Sequence, residues 1–536
     1  MKATTPINVD SLEYELAGFP DRDVALELLH GLRSGFHTGI EFPPDKPFEC
    51  KNLQSALRDP DCVSSLIADE VGKGYLIGPF NSPPFPTYRI NPIGLAVGKY
   101  SGKKRLIVDL SSPHNDPVTH SINDLIDKSK FSLSYTRLDD AIEILSAVGP
   151  TAFLCKADIT DAFKLLPINP SLWHLHGIKW QGCYYFFVRL VFGSRSSPKL
   201  FDLLASALCW ILCNKYGIKN LLHLLDDFLT IDASECEALR TMSILTQLFR
   251  RLRIPLAPLK TVGPTKVLEF LGITLDSSRM EARLPPDKKL RLGQLLHKFK
   301  DKQCCSKQEL LSLLGHLNFA SCVIPTGRSF VGHLLRLAGS VRELHYKVRL
   351  TAECGSDFAW WSLLLDGWNG VSLFRDRSHS KASDMEIFTD ASSSIGFGGY
   401  FAGKWFACEW PSELQASDCA APCMALLELY PIVIAAMIWG RAWERKRILF
   451  FCDNSATVQI INKGRSPVQH IMLLMRRLAW CALHGNFSIS AAHIPGQTNL
   501  IADALSRLQL DKFRSLAPTA CPLPEACPVY SQIIMP

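Results

Sequence analysis

The chain has 536 residues, of which 47% are hydrophobic and 20% charged, a composition that excludes disorder as its dominant state and leaves room for about three or four compact units. Its 58 basic and 51 acidic residues give a net charge of +7, and the basic ones cluster at Lys99, Lys103, Lys104 and Arg105, from Lys288 to Lys302, and from Arg441 to Arg447, patches that suit a polyanion. Its 18 cysteines include no Cys-x-x-Cys pair, which removes support for zinc ribbons and knuckles and fits a reducing, intracellular setting in cytoplasm or nucleus.

At the start of the chain Asp10, Glu13 and Glu15 interrupt the apolar core that a signal peptide needs, so secretion is not expected. Residues 1–60 have weak periodicity and a proline-containing run, EFPPDKPFEC, and read as an N-terminal extension of uncertain order. From 61 to 275 short apolar strands alternate with helical patterns. Pro198 to Tyr216 has helical spacing, with proline near its start and Gly217 just past its end. Pro285 and Pro286 open a basic helical stretch to Lys302, and Ser306 with Glu309 forms a capping-box pattern for a helix through Phe319. These belong to a helical section over 276–383, which closes in a polar linker or surface loop, RDRSHSKASD.

The pattern then restarts as a compact α/β domain over 384–510. Met385 to Asp390 reads as a strand, the glycine-rich and aromatic run to Trp410 as two more, Leu426 to Arg441 as a helix, Ile448 to Asp453 as a strand, and Ser466 to His484 as a helix ended by Gly485. Apolar runs such as Leu429 to Trp439 stop short of the roughly 18 to 20 residues that a membrane span needs, so no membrane is expected as a partner. The tail, 511–536, has five prolines and two cysteines after Ala517 and is expected to be disordered there.

Two sets of carboxylates stand out. In TAFLCKADITDAFKLLPI, Asp158 ends an apolar strand, and in LLHLLDDFLTID apolar residues flank Asp226 and Asp227. Adjacent aspartates between β-prone segments can form the tip of a tight hairpin. If the Asp158 strand lies beside that hairpin, three hard oxygen donors converge, a donor set that holds Mg²⁺ together with substrate phosphates. Two such ions about 3.5 to 4 Å apart would stabilise the attacking and leaving oxygens of a phosphoryl transfer. Taken singly, an Asp-Asp pair is an ordinary polar turn and Asp158 an ordinary strand end.

The second set lies in the C-terminal domain. Asp390 ends a strand in EIFTDASSSIGFGG, where the following glycines permit close approach of neighbouring chain. Glu428 starts the next helix, Asp453 ends the apolar strand ILFFCD, and HIPGQTNLIAD places His493 and Asp503 ten positions apart. Four acids with a histidine could bind two metals around a scissile phosphate, the histidine assisting proton transfer or product release.

The order of the first set resembles the palm of reverse transcriptases: an aspartate strand, then LVFGSRSSPKLF leading into a helix, then the paired aspartates. KKRLIVDLS resembles the fingers strand that holds the incoming triphosphate, and LEFLGITLD the primer-gripping strand. The second set resembles ribonuclease H. The resemblance covers roughly residues 61 to 510 and implies a multidomain α/β and α+β protein: a right-hand polymerase of fingers and palm over 61–275, a helical thumb or connection over 276–383, and ribonuclease H over 384–510. Within retroelement polymerases, the LDDF tip, the SRSSP segment and GRSPVQHIMLLMRRL look most like the DIRS-like, tyrosine-recombinase retrotransposons. No Asp-Thr/Ser-Gly protease motif and no integrase-like zinc pattern is present.

Carried over, the resemblance makes Asp158, Asp226 and Asp227 the metal-binding acids of the polymerase site, and Asp390, Glu428, Asp453 and Asp503 those of the nuclease site, with His493 a catalytic partner. Two Mg²⁺ ions per site are implied, with Mn²⁺ as a substitute. Arg105 becomes a triphosphate contact and Lys99 a weaker second candidate. Phe163 becomes the ring packed against the 2′ face of the incoming sugar, and Gly193, Ser197 and Pro198 shape the floor beneath template and nucleotide. Phe192 stands where retroviral enzymes carry glutamine, and Leu224 where they carry tyrosine. The implied partners are an RNA template, a DNA primer, the RNA–DNA hybrid and dNTPs. Two other readings stay open: a non-catalytic nucleic-acid-binding descendant of such an element, and an RNA-templated RNA polymerase, against which Phe163 and the ribonuclease H module count.

Overall fold

A computed structural model describes residues 2–98, 102–114, 116, 119–368, 371–373, 386–415, 423–444 and 446–534. The chain divides into two units, Met1–Phe270 and Leu271–Pro536.

In the first unit, helices α1 (Val9–Glu15) and α2 (Arg22–Ser34) correct the expectation for residues 1–60. Asn8 and Asp21 cap them by accepting from the backbone N–H of Ser11 and Val24, and Ala25, Leu28, Leu29 and Leu32 form one buried face at helical spacing. Leu12, Leu28 and Leu32 share a core with Phe163, Leu166 and Phe201. Thr5 Oγ1 donates to the Leu165 carbonyl at 2.7 Å, and Arg189 donates to that of Thr4. The segment is part of this unit's core rather than an extension from it.

Helix α3 (Pro60–Gly72) precedes most of this unit's strands. In chain order these are β1 (Phe48–Glu49), β2 (Leu76–Phe80), β3 (Arg89–Ile90), β4 (Ile93–Val97), β5 (Lys104–Val108), β6 (Phe153–Asp158), β7 (Gly177–Trp180), β8 (Cys183–Phe187), β9 (Leu221–Leu224), β10 (Asp227–Asp232) and β11 (Val262–Thr265). One sheet has the order β1-β3-β7-β8-β2, a second β11-β6-β10-β9, and β4 with β5 makes a separate antiparallel pair. The expected helix after Pro198 is α4 (Ser197–Trp210), prolonged by a π turn over Ile211–Lys215 and followed by Gly217 at φ +70°. Helix α5 (Glu235–Arg251) packs on β6 and β10, where Phe249 meets Phe228 edge-on at 5.4 Å.

The second unit begins with β12 (Ile273–Asp276) paired antiparallel to β13 (Glu281–Arg283), whose other edge takes β14 (Val371–Leu373). Between them run α6 (Pro286–Lys300), α7 (Lys307–Ala320), α8 (Gly332–Gly339) and α9 (Ala352–Trp368). The capping box at the start of α7 forms as its sequence predicts: Ser306 Oγ accepts from Glu309 N at 3.2 Å and Glu309 Oε2 from Ser306 N at 2.9 Å. The polar stretch RDRSHSKASD lies outside the described residues.

The α/β part that follows contains β15 (Glu386–Ala391), β16 (Gly396–Phe401), β17 (Lys404–Glu409), α10 (Met424–Trp439), β18 (Arg447–Cys452), α11 (Ser455–Lys463), α12 (Gln469–His484), β19 (Ser488–His493) and α13 (Leu500–Ser506). Its sheet has the order β17-β16-β15-β18-β19, antiparallel over the first three strands and parallel from β15 to β19. Helix α10 is apolar all round, and its prolongation to Trp443 gives 20 residues of mean hydropathy 1.4, so length and composition alone would let it cross a membrane. It is longer than the run seen in the sequence. In this fold it is 72% buried, packed on β15 and α12 as the core helix of the unit.

The tail is also ordered through Ile534, against expectation. After α14 (Leu510–Leu516) it follows the edge strand β17, with Cys521 N donating to Gly403 O and Glu525 N to Trp405 O, both at 2.8 Å. These bonds satisfy backbone groups that an edge strand otherwise exposes. The chain then forms α15 (Tyr530–Ile534), whose Ile533 is fully buried in the unit's core.

Candidate active sites

Strands β6 and β10 run antiparallel with Asp158 directly opposite Asp227. The β9–β10 connection is a tight turn of Leu225 and Asp226, with Leu224 opposite Asp227 and Leu225 in the left-handed region at φ +53°. Ile159 N donates to Asp226 O at 3.0 Å. The turn and the end of β6 are thus stitched together, and the three acids converge at one edge of the sheet.

Two lysines answer this charge, and neither was singled out in the sequence. Lys260 Nζ lies 2.8 Å from Asp158 Oδ2, and Lys156 Nζ lies 3.1 Å from Asp227 Oδ1. Lys156 was legible in one respect, because positions i and i+2 of a strand share a face. Burial nevertheless pushes the Asp226 carboxyl above its ordinary range, and the Asp158 charge adds to the push. Burial does the same to Asp227, against the opposing pull of Lys156. Carboxyls held above their normal range by burial and like charge make a site that favours added positive charge, and oxygen-only donors suit Mg²⁺.

The remaining candidates of this unit lie on two neighbouring segments. Phe163 is in the single turn after β6, 7% exposed, between Phe192 and Phe201. Phe192 and Gly193 lie in the loop before α4. Gly193 has φ +101°, and a Cβ there would sit 2.6 Å from the Val108 carbonyl of β5, so only glycine lets the loop close on that strand. Ser197 is fully buried, its Oγ donating to Val191 O at 2.9 Å, and Pro198 occupies the first turn of α4. Arg105 is exposed on β5, opposite Ala96 of β4. Lys99 lies outside the described residues.

In the second unit, Asp390 sits on β15 and Glu428 on α10, both buried. Asp453 directly follows β18, in register with the end of β19, where Cys452 pairs with His493. Oxygen atoms of Glu428 and Asp453 and the Cys452 sulfur lie within 4.8 Å of one another, and Cys452 Sγ donates to Glu428 Oε2 at 3.8 Å. His493 Nε2 contacts the Asp453 carbonyl at 3.0 Å. Asp503 lies on α13, which packs on β15 and β16. That approach needs Gly398, where a Cβ would come within 2.4 Å of Leu505 Cβ. Asp503 is held by Arg507 at 2.6 Å and Lys512 at 3.4 Å.

Sequence reading missed Cys452, which sits in the apolar strand ILFFCD, and Ser506, whose Oγ donates to Asp390 Oδ2 at 2.5 Å. Ser506 lies three positions after Asp503, a helical spacing that places both near one face of α13. Burial, then the charges of Asp390 and Asp453, raise the Glu428 carboxyl to about 9. Burial raises that of Asp390 to about 6, with Ser506 opposing. The charge deficit of the first site recurs here with four acids, and the oxygen donors again fit a hard divalent cation.

No protein-family model matches the chain, and no curated protein matches it. Among solved structures, the foamy viral protease-reverse transcriptase dRH in complex with double-stranded DNA is similar at a TM-score of 0.50 and 14% identity, covering 92% of this chain and 83% of that one. The foamy viral protease-reverse transcriptase in complex with an RNA/DNA hybrid gives 0.49 and 13%, over 92% of this chain and 64% of the other. The complex with double-stranded DNA gives 0.48 and 15%, over 92% and 99%. The chain therefore has a mixed α/β, multidomain fold of the reverse transcriptase kind.

Proposed function

We propose that the chain is an RNA-directed DNA polymerase coupled to a ribonuclease H that cleaves RNA in RNA–DNA hybrids, acting in the replication of a retrotransposon of DIRS-like type. The observation that carries the reading is the register of β6 and β10, which sets Asp158 against Asp227 with Asp226 on the adjoining turn. In this assignment residues 61–275 are fingers and palm, 276–383 a thumb or connection, and 384–510 the nuclease. The foamy viral neighbours were solved with double-stranded DNA and with an RNA/DNA hybrid, and the same classes of partner are proposed for this chain.

Asp158, Asp226 and Asp227 would hold divalent cations in the first site, and Asp390, Glu428, Asp453 and Asp503 in the second. Mg²⁺, or Mn²⁺ in its place, would supply Lewis-acid charge where phosphoryl oxygens become more negative. The protein's own groups do the rest. Arg105 offers a planar fork of donors to the triphosphate of a dNTP, and the Gly193–Pro198 floor sets the height of the template and nucleotide. His493, held by the Asp453 carbonyl, is placed for proton movement at the scissile phosphate. Primer extension by the purified chain on an RNA template, supplied with dNTPs or rNTPs, tests the reading. Selective use of dNTPs supports it, use of rNTPs alone favours an RNA polymerase, and use of neither leaves a nucleic-acid-binding protein.

A further inference from the structure

Beyond α14 the tail runs beside the edge strand β17. Cys521 N donates to Gly403 O and Glu525 N to Trp405 O, and Trp405 Nε1 donates to Cys521 O, all at 2.8 Å. Arg514 of α14 holds the same stretch, donating to Cys521 O at 2.9 Å and to Pro522 O at 2.6 Å. The two bonds to the strand advance together along both segments, so the tail lies parallel to β17. In a parallel ladder, a residue whose N–H bonds to residue i stands level with residue i+1. Glu525 is thereby level with Phe406, and Cys527 with Cys408, which shares a face of β17 with Phe406. Neighbouring strands lie about 4.8 Å apart, within the roughly 4.4 to 6.8 Å that separate the Cα atoms of a disulfide. The side chains meet as this register requires, the Cys527 thiol donating to the Cys408 sulfur. Both cysteines are half-buried against the core that α10 fills, and Tyr530, just beyond, stacks on Tyr430 of α10 with centroids 6.4 Å apart. The bond from Cys527 lowers the Cys408 thiol below its ordinary range, against the opposing effect of burial, and raises that of Cys527. A thiolate therefore forms more readily on Cys408.

We propose that Cys408 and Cys527 form an oxidisable dithiol, a modification site at which a peroxide closes a disulfide that fixes the tail to β17. The Cys408 thiolate attacks one peroxide oxygen and the O–O bond breaks. That oxygen stays on the sulfur as a sulfenic acid, while the other leaves as hydroxide and takes up the proton released by Cys408 to become water. The Cys527 thiol then attacks the oxidised sulfur and gives up its proton, the S–O bond breaks, and a second water leaves. The two thiols together lose two electrons and two protons, and the peroxide is reduced to water. Under reducing conditions the pair rests as thiols. Closure joins residues 119 positions apart, so it strongly restricts the unfolded chain. It also keeps the edge of β17 covered, where unpaired backbone groups would otherwise be offered to another chain. None of this depends on the polymerase or the nuclease reading.

The test uses the full chain, reduced and then exposed to hydrogen peroxide, with the remaining thiols alkylated before digestion and mass spectrometry without reductant. The expected result is a crosslinked peptide joining Cys408 to Cys527, absent before oxidation and lost on adding dithiothreitol. Oxidation should also raise the melting temperature of the wild type by roughly 5 to 15 °C, and Cys408→Ser and Cys527→Ser should each lose that shift. Because the wild type is compared with itself in two redox states, crosslink and shift are read even where a variant fails to fold. Both thiols still alkylated at a peroxide dose that oxidises the exposed Cys236 would overturn the proposal. So would Cys408 carried on to a sulfinic acid, or Cys527 joined to Cys521 in its place. A Cys408–Cys527 crosslink with no rise in melting temperature would overturn the clamp on the tail.

Discussion

Glu428 is 2% exposed and faces two other carboxylates, so its charge is costly in the fold and its replacement has two separable consequences. Between about 4.5, its ordinary value, and about 9, its value in the fold, the folded state holds a proton that the unfolded state has lost. Stability without divalent cations should therefore fall as pH rises through that window. Glu428→Gln removes this residue's share of the dependence, which is the part above about pH 6. At pH 8 in chelator its melting temperature should exceed that of wild type, by about 2–4 °C for each kcal/mol relieved, while hybrid cleavage is lost. A variant less stable than wild type under those conditions would mean that the carboxylate is compensated by some other group. His493 should behave differently, because it is not among the acids proposed to hold metal. His493→Ala is expected to slow cleavage by about 10²- to 10⁴-fold, the usual scale of a general acid or base, and a fully active variant would reduce it to packing. Arg105→Ala should raise KM for dNTPs by roughly 10-fold with little change in affinity for template and primer, since a guanidinium acts on phosphate by paired, charge-assisted bonds. The reverse pattern in a filter-binding assay would move Arg105 to the surface that tracks the nucleic-acid backbone.

At the scale of elements, α2 and the tail decide whether the ends of the chain belong to the fold. Both were misread, for different reasons. The spacing of Ala25, Leu28, Leu29 and Leu32 and the cap at Asp21 are present in the sequence, and the prolines of EFPPDKPFEC break the pattern only after α2 has ended. The tail had no comparable signal, because its order comes from backbone bonds to the start of β17, more than a hundred positions away, and from the burial of Ile533 in a core that includes α12. Leu28→Ala should destabilise the first unit by about 2–5 kcal/mol, the range for emptying a buried leucine site. Equilibrium urea unfolding would measure it, and a loss below about 0.5 kcal/mol, typical of surface positions, would return α2 to the status of an appendage.

For the whole molecule, the two carboxylate clusters lie in different units, residues 1–270 and 271–536, and their chemistry should separate accordingly. Asp226→Asn keeps the turn but removes a charge, so DNA synthesis should fall to background while hybrid cleavage persists. Asp453→Asn should do the opposite. Primer extension and hybrid cleavage assayed on the same preparations give the comparison, and parallel loss of both activities in either folded variant would contradict independent sites. Within the second unit, Asp357 is fully buried and accepts from His333 N and Nδ1 of α8 at 3.1 and 3.0 Å and from Arg476 of α12. A buried ion pair of this sort ties the helical section to the α/β part.

The sequence by itself determined on which kind of element each candidate residue would sit. Asp158 at a strand end, Asp226 in a hairpin tip, Asp390 and Asp453 at strand ends and Glu428 on a helix all follow from local periodicity and turn chemistry, which depend on near neighbours along the chain. Tertiary structure alone decided what those residues meet. The lysines opposite Asp158 and Asp227, the serine on Asp390, the thiol on Glu428 and the ring on Phe163 come from segments separated by up to 116 residues. Such contacts are fixed by strand register and helix packing, and so are the burial and charge that shift the carboxyls, because desolvation belongs to the assembled core and to no single stretch of sequence.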